Sequence, residues 1–372
     1  MMGELALRYP AQSLVVSTGS YSGSDESDRL FPQNIDRAGI RATRLRTING
    51  LGLWTARAAR LERRHHFAFA WCGELKPAGY PAWWLARRYG VPYGVVVHGT
   101  ELLLLEHKIG KSRFKRWTAT GLVTGATVLA ANSTWTAGLA RRIYERLDRP
   151  DLAARVQVVP LGTEPGQFRP GIDTRDVRRR YGLEGGPWLL TVARLEWHKG
   201  IDTVIRALPA IRALYPGVRY AVAGTGPRGD ELARIAGQAG VHHAVKLLGF
   251  VPDEDLPALY NVADLYLGVS RYHELLAEGF GISLVEAQAS GVAVVGGRSG
   301  GVADAVRDGE TGVLVDPDSP AAVAVAVNRL LSDEPLRLQM GAAGRKAVET
   351  YFNWERVSRD FLRIDAEFRR AG

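Results

Sequence analysis

Residues 188–215 read WLLTVARLEWHKGIDTVIRALPAIRALY, and the fold class follows from their reading. A short apolar run, WLLTVAR, ends at Arg194. Lys199 comes five residues later, then Gly200, then a segment whose apolar residues recur at helical spacing. Strand, glycine-containing loop and helix in that order make half of a βαβ unit. The same pattern recurs through the C-terminal half in VRYAVAG, AVKLLGF, ADLYLGVS, VAVVGG and TGVLVDP. It recurs through the N-terminal half in SLVVST, YGVVVHG, TVLAANS and VQVVPLG. Short apolar strands alternating with helices predict parallel sheets covered on both faces. Two successive sets predict an α/β protein of two Rossmann-like, doubly wound domains facing each other across a cleft. The predicted domains are 1–165 and 166–350, with a helix over 351–372 returning toward the first.

Length and composition agree. A chain of 372 residues, 46% hydrophobic and 23% charged, is too long for one ordinary core and too apolar for disorder. The single cysteine, Cys72, cannot pair internally, so nothing points to an oxidising compartment. The opening MMGELALRYP lacks the apolar stretch of a secretory signal. The uncharged run from Thr118 to Ala140 holds six threonines, three glycines, Asn132 and Ser133, and reads as buried protein rather than a membrane span. Residues 1–165 carry 23 Lys and Arg against 13 Asp and Glu, a balance of +10; the remainder carries 25 against 26. Such sorting suggests that the first half meets something anionic, although a generally arginine-rich composition accounts for it too.

Chemistry concentrates just beyond strand ends, where open α/β sheets bind ligands. Arg194 and Lys199 stand at the rim of a loop that opens a helix, where backbone N–H groups and the helix dipole favour anions. Two cations there suit a diphosphate, one as a fork of donors and one as a point charge. A solvated loop with incidental charges is the alternative. In ELLAEGFGISLVEAQASG, Glu278 and Glu286 flank GFGISLV. Gly279 and Gly281 permit close backbone approach, and the N–H groups from Phe280 through Ile282 to Ser283 would point at a ligand. Glu286, roughly two turns into the helix, would reach a ribose diol, whose hydroxyls a carboxylate can only accept from. Alternatively Glu278 caps the helix and Glu286 is solvated. His98, at the end of VVVH, reads either as a site residue or as a satisfied structural group.

These pieces together resemble a known family. VARLEWHKG, VAGTGP, LLGFVPDEDLPALYNVADLYLGVS, EGFGISLVEAQASGVAVVGG and GGVADAVRDGETGVLVDP, within 188–317, are similar to the donor-binding domain of retaining glycosyltransferases of family 4, which have the GT-B fold. The resemblance implies that Arg194 and Lys199 hold the donor diphosphate. It also implies that Glu278 contacts the sugar hydroxyls, Glu286 the ribose, and the chain near Val251 the base. His98, in VVVHGTELL, is similar to the family's cleft histidine near the reacting centre. The implied function is retaining transfer of a sugar from a nucleotide-sugar donor, with no cofactor and no metal. GFGISLVEAQASG looks nearest to bacterial mannosyltransferases of the phosphatidylinositol mannosyltransferase type. GDP-mannose is therefore the first donor expected and a UDP-sugar the second. A sugar, lipid-linked or polysaccharide acceptor is expected, with the protein on the cytoplasmic side, either free or peripheral on an anionic membrane surface, and no nucleic acid bound.

Weaker signals remain. The G-T-G-P at 224–227 follows a strand but is not a full dinucleotide fingerprint, which weakens the rival of a nicotinamide-dependent oxidoreductase. DPD at 316–318 reads as helix capping rather than as a metal motif. HKIGKSRFKRW, 107–117, is basic with interleaved Ile109, Phe114 and Trp117, and reads as a membrane-surface helix, a nucleic-acid contact or a solvated helix. Finally, GELALRYPAQSLVVSTG resembles the end of the family's first helix followed by its second strand. The first strand and its glycine loop are accordingly expected to be missing, with a late start-codon assignment favoured over a shortened variant.

Overall fold

A computed structural model describes residues 2–19, 28, 29, 31–38, 46–111 and 113–368. The chain forms two compact units, Met1–Val159 together with Trp354–Gly372, and Pro160–Asn353. In the first unit the strands are β1 (Val15–Gly19), β2 (Asn34–Ala38), β3 (Ala70–Cys72), β4 (Tyr93–Val97), β5 (Val128–Ala131) and β6 (Val156–Val158). β1 and β2 form a parallel pair of their own, while β3-β4-β5-β6 form a separate parallel sheet. Among the described residues no strand joins the two sheets.

β4 and β5 are buried along their whole length, as uncharged apolar strands covered on both faces must be. Residues 118–140 supply a helix, β5 and the start of the helix Thr134–Arg146, largely within the core. That helix starts cleanly because Ser133 caps it, accepting the N–H of Thr136 at 3.0 Å. The basic segment divides between helices Thr100–Lys111 and Arg113–Gly125; Ser112 and the side chain of Phe114 lie outside the described residues. Its Ile109 is buried, whereas Trp117 is 70% exposed. The helix Trp354–Phe368 completes this unit by burying Val357, Phe361 and Ile364 against Leu5, Val96 and Val128. Its Asp365 accepts from Tyr9 Oη and Trp71 Nε1, each at 2.6 Å.

The second unit holds one parallel sheet, in the order β12-β11-β10-β7-β8-β9. Its strands are β7 (Trp188–Val192), β8 (Arg219–Ala223), β9 (Val245–Gly249), β10 (Leu265–Gly268), β11 (Val294–Gly297) and β12 (Gly312–Val315). Alternation divides the core cleanly: Leu190, Tyr266 and Val294 face one apolar cluster, and Leu189, Leu265, Leu267 and Val295 face the other. Both faces are therefore covered, as the uninterrupted apolar runs require. The chain runs outward from β7 to β9, then returns to lay β10 along the opposite side of β7. β7 and β10 thus flank the topological switch point, beyond whose carboxyl ends such sheets leave room for a ligand.

Candidate functional site

β7 ends at Val192, two residues short of Arg194, so Arg194 lies in the loop itself. That loop is pinned to its neighbour after β8. Ala193 donates its N–H to Ala223 O, and Leu195 to Thr225 O, both at 2.9 Å. Gly224 has φ +135°, and a Cβ there would stand 2.0 Å from Ala193 O; one at Gly226 would meet the Leu195 backbone at 2.6 Å. The glycines of G-T-G-P therefore serve the close approach of two loops rather than a nucleotide fingerprint. A single 3-10 turn, Trp197–Lys199, leads to Gly200 and the helix Ile201–Leu214.

Lys199 Nζ donates to Glu278 Oε2 at 2.6 Å, and Ser270 Oγ lies 3.2 Å from the same oxygen. Glu278 thus does not cap the following helix. Burial alone would raise its carboxyl, but the charge and hydrogen bond of Lys199, with smaller help from His198 and Ser270, together hold it below the usual range. Its carbonyl accepts the N–H of Gly301 at 2.8 Å, and Gly300 passes so close that a Cβ would come within 2.2 Å of that oxygen. Arg194 is 72% exposed and pairs with Glu196 at 3.0 Å. The other Glu196 oxygen lies 3.2 Å from Nδ1 of the buried His198. Burial, then the neighbouring Lys199, lowers that imidazole's pKa and favours its neutral form.

The helix Ile282–Ala289 begins at Gly281, whose φ is +100°. Its first N–H groups lack intrahelical partners, as in any helix. Glu286 stands just over one turn in, not two, and accepts from Tyr260 Oη at 2.6 Å. Burial pushes its carboxyl up to about 7, against the hydrogen bond from Tyr260 and with added repulsion from Asp253. Asp253 belongs to the loop after β9, which also carries Val251. The side chains of Val251 and Phe280 are themselves 6% and 2% exposed within the apolar core, which leaves only their backbone for a ligand.

Several working residues escaped the sequence reading: Glu196, Ser270, Tyr260 and the Gly300–Gly301 turn. Only GGVADAV carried a signal for the last. DPD is also corrected in detail, because Ser319, not an aspartate, caps the helix Pro320–Ser332 by accepting from Ala322 N. Among the described residues no three His, Cys, Asp or Glu side chains gather closely enough to hold a metal, and no helix is long and apolar enough to cross a membrane.

His98 belongs to the other unit and directly follows β4. Its Nε2 lies 3.0 Å from the carbonyl of Gly73, which can only accept, so Nε2 is the donor of that hydrogen bond. Its backbone N–H is held by Glu101.

Residues 173–347 match the family model described as glycosyl transferases group 1. Over 359 residues the chain is 33% identical to a GDP-mannose-dependent alpha-(1-6)-phosphatidylinositol monomannoside mannosyltransferase of Mycolicibacterium smegmatis, covering 95% of this chain and 89% of that one. It is 34% identical over 308 residues to a D-inositol 3-phosphate glycosyltransferase of Salinispora arenicola, covering 78% of this chain and 66% of that one. The fold is that of Anabaena HepE, solved with UDP and glucose: TM-score 0.78 at 20% identity, covering 98% of this chain and 94% of that one.

Proposed function

We propose, from the premise that this chain belongs to the group 1 glycosyl transferases, that it moves mannose from GDP-mannose to a lipid-linked or inositol-bearing acceptor, retaining the configuration at the sugar carbon. Transfer of a sugar from a nucleotide-sugar is the activity of the family. The donor and acceptor are suggested by the relatives from Mycolicibacterium and Salinispora. One observation carries the assignment of the site: Lys199, bonded to Glu278 at 2.6 Å, stands at the switch point of the six-stranded sheet. A diphosphate entering there meets one cation held in place and a second, Arg194, exposed beside it.

In this reading the bond from the sugar's anomeric carbon to the diphosphate oxygen breaks, and the diphosphate leaves with the electron pair. Lys199 and Arg194 stabilise the charge that develops on it. The acceptor oxygen bonds to the same face of the sugar, and its proton passes to the departing diphosphate. Glu278, kept ionised by Lys199, accepts hydrogen bonds from sugar hydroxyls, while the Glu286 carboxylate takes the ribose diol. A role for His98 toward the transferred sugar rests on its likeness to the family's cleft histidine. Two protein cations replace the charge a metal would bring, so the reaction runs without one.

Transfer of labelled mannose from GDP-mannose, with UDP-glucose in parallel, tests this. Lys199→Ala should lower turnover about a hundredfold, the usual cost of losing one charge contact made in the transition state. Wild-type turnover in the folded variant would sink the site assignment. Excess EDTA should leave the rate unchanged; abolition by chelator with rescue by magnesium would overturn metal independence.

A further inference from the structure

Arg271 follows β10, next to β7, and apart from Asp318, 3.7 Å from its guanidinium, what it holds belongs to the turn that presents Lys199. Its backbone N–H donates to the carbonyl of His198 at 2.8 Å. One arm of its guanidinium reaches Asp202 Oδ1 at 2.7 Å and another reaches Thr203 Oγ1 at 2.9 Å, both in the first turn of the helix Ile201–Leu214. The guanidinium carbon also lies 5.7 Å from the centre of the Trp197 ring, over which Arg228 stands at 4.9 Å. Arg271 therefore grips residues 197 and 198 on one side of Lys199 and residues 202 and 203 on the other, without bonding Lys199 itself. Gly200 closes the arrangement, lying so near Val269 O that a Cβ would come within 1.9 Å.

We propose that Arg271 is a positioning residue that fixes the turn carrying Lys199 for a nucleoside diphosphate. The inference rests on reading the Arg194–Lys199 loop as the diphosphate site. Two features separate positioning from direct binding of the anion. Arg271 is 13% exposed, and its charge is matched by Asp202 at 9%, so it has little net charge to offer a phosphate. The contact between Lys199 and Glu278, moreover, is one that a bound diphosphate competes with. Once Lys199 turns to the phosphate, the turn keeps its place through Arg271. A lysine cannot substitute, because one ammonium on a flexible stem lacks the planar fork that spans Asp202 and Thr203 together.

Calorimetric titration of the full chain with GDP and with GMP decides the matter, using Arg271→Lys, Lys199→Ala and the double variant, with UDP and UMP in parallel. Arg271→Lys should weaken GDP binding about tenfold and GMP binding much less. The double variant should bind GDP no more weakly than Lys199→Ala alone, because both changes remove the same contact. A folded Arg271→Lys protein with parental GDP affinity overturns the proposal. An equal loss for GDP and GMP overturns it as well, since a general disturbance of the site does not distinguish the second phosphate. If Lys199→Ala alone leaves GDP binding intact, the diphosphate-loop reading fails, and the proposal with it. Should Arg271→Lys not fold, Thr203→Val removes one arm of the fork and carries the same comparison, a smaller selective loss of GDP affinity supporting the proposal and none overturning it.

Discussion

Glu286 and Glu278 are two carboxylates in one site with opposite shifts, and the difference lies in their partners. Lys199 supplies Glu278 with a full positive charge, whereas Tyr260 gives Glu286 only a neutral hydroxyl against its burial. With its carboxyl pushed up from 4.5 to about 7, Glu286 is favoured by the fold in its neutral form. Its contribution to stability is then full below about 4.5 and is lost as pH rises through about 7. Nucleotide binding runs the other way, because ribose hydroxyls need the ionised form as acceptor. GDP affinity should therefore rise between about pH 6 and about pH 8, beyond the change that the nucleotide's own phosphate brings. Titrations of the parent and Glu286→Gln across that range check it. Identical pH profiles for the two proteins would remove the ribose role.

At the scale of elements, the site is made where loops touch. Gly200 ends the 3-10 turn with φ +64° and has Val269 O where a Cβ would stand. Gly200→Ala combines an unfavourable left-handed backbone with a collision against main chain, which no side-chain rotation relieves. We expect a loss of at least about 2 kcal/mol of stability, read by urea denaturation. Parental stability would show that the two loops can separate at little cost. Gly281 differs: its φ is +100°, but the nearest obstacle to a Cβ is Leu284 Cδ1 at 2.9 Å, the end of a side chain. There the backbone conformation, not crowding, is what requires glycine.

For the whole molecule, neither unit shares a sheet or a core cluster with the other, and the helix Trp354–Phe368 is packed with the first. A nucleotide held wholly by the second unit stabilises that unit alone. Scanning calorimetry should resolve two transitions, only one of which moves upward with GDP; a single transition shifted as a whole would show the units unfold together. The first half also carries the balance of +10, with Lys108, Lys111 and Arg113 exposed near Trp117. Co-sedimentation with anionic liposomes should be strong at low salt and weaken as the screening length falls below about 10 Å. Lys108→Glu with Lys111→Glu should reduce it. No binding at low salt would leave a soluble acceptor as the better reading.

Residue order alone dictates the fold class and the succession along the chain of the six strands of the second unit, though not β2 and β3 of the first, because fully buried parallel strands must read as uninterrupted apolar runs and helices as a period of 3.6. It also marked Arg194, Lys199, Glu278 and Glu286, since charges beside glycines at strand ends are visible as residue types. The partners were decided only by tertiary structure. That Lys199 meets Glu278, 79 residues away, depends on β10 returning beside β7, and spacing within either motif does not encode that return. The same holds for Tyr260 beneath Glu286 and for Arg271 bracing the turn, both ordinary residues in their local sequence. Val251 and Phe280 carry the converse lesson: the motif marks the chain at those positions, but burial turns their side chains into the core. Hydrophobic periodicity is a local property of the chain. Which charge neutralises which is settled only when distant loops share one sheet edge.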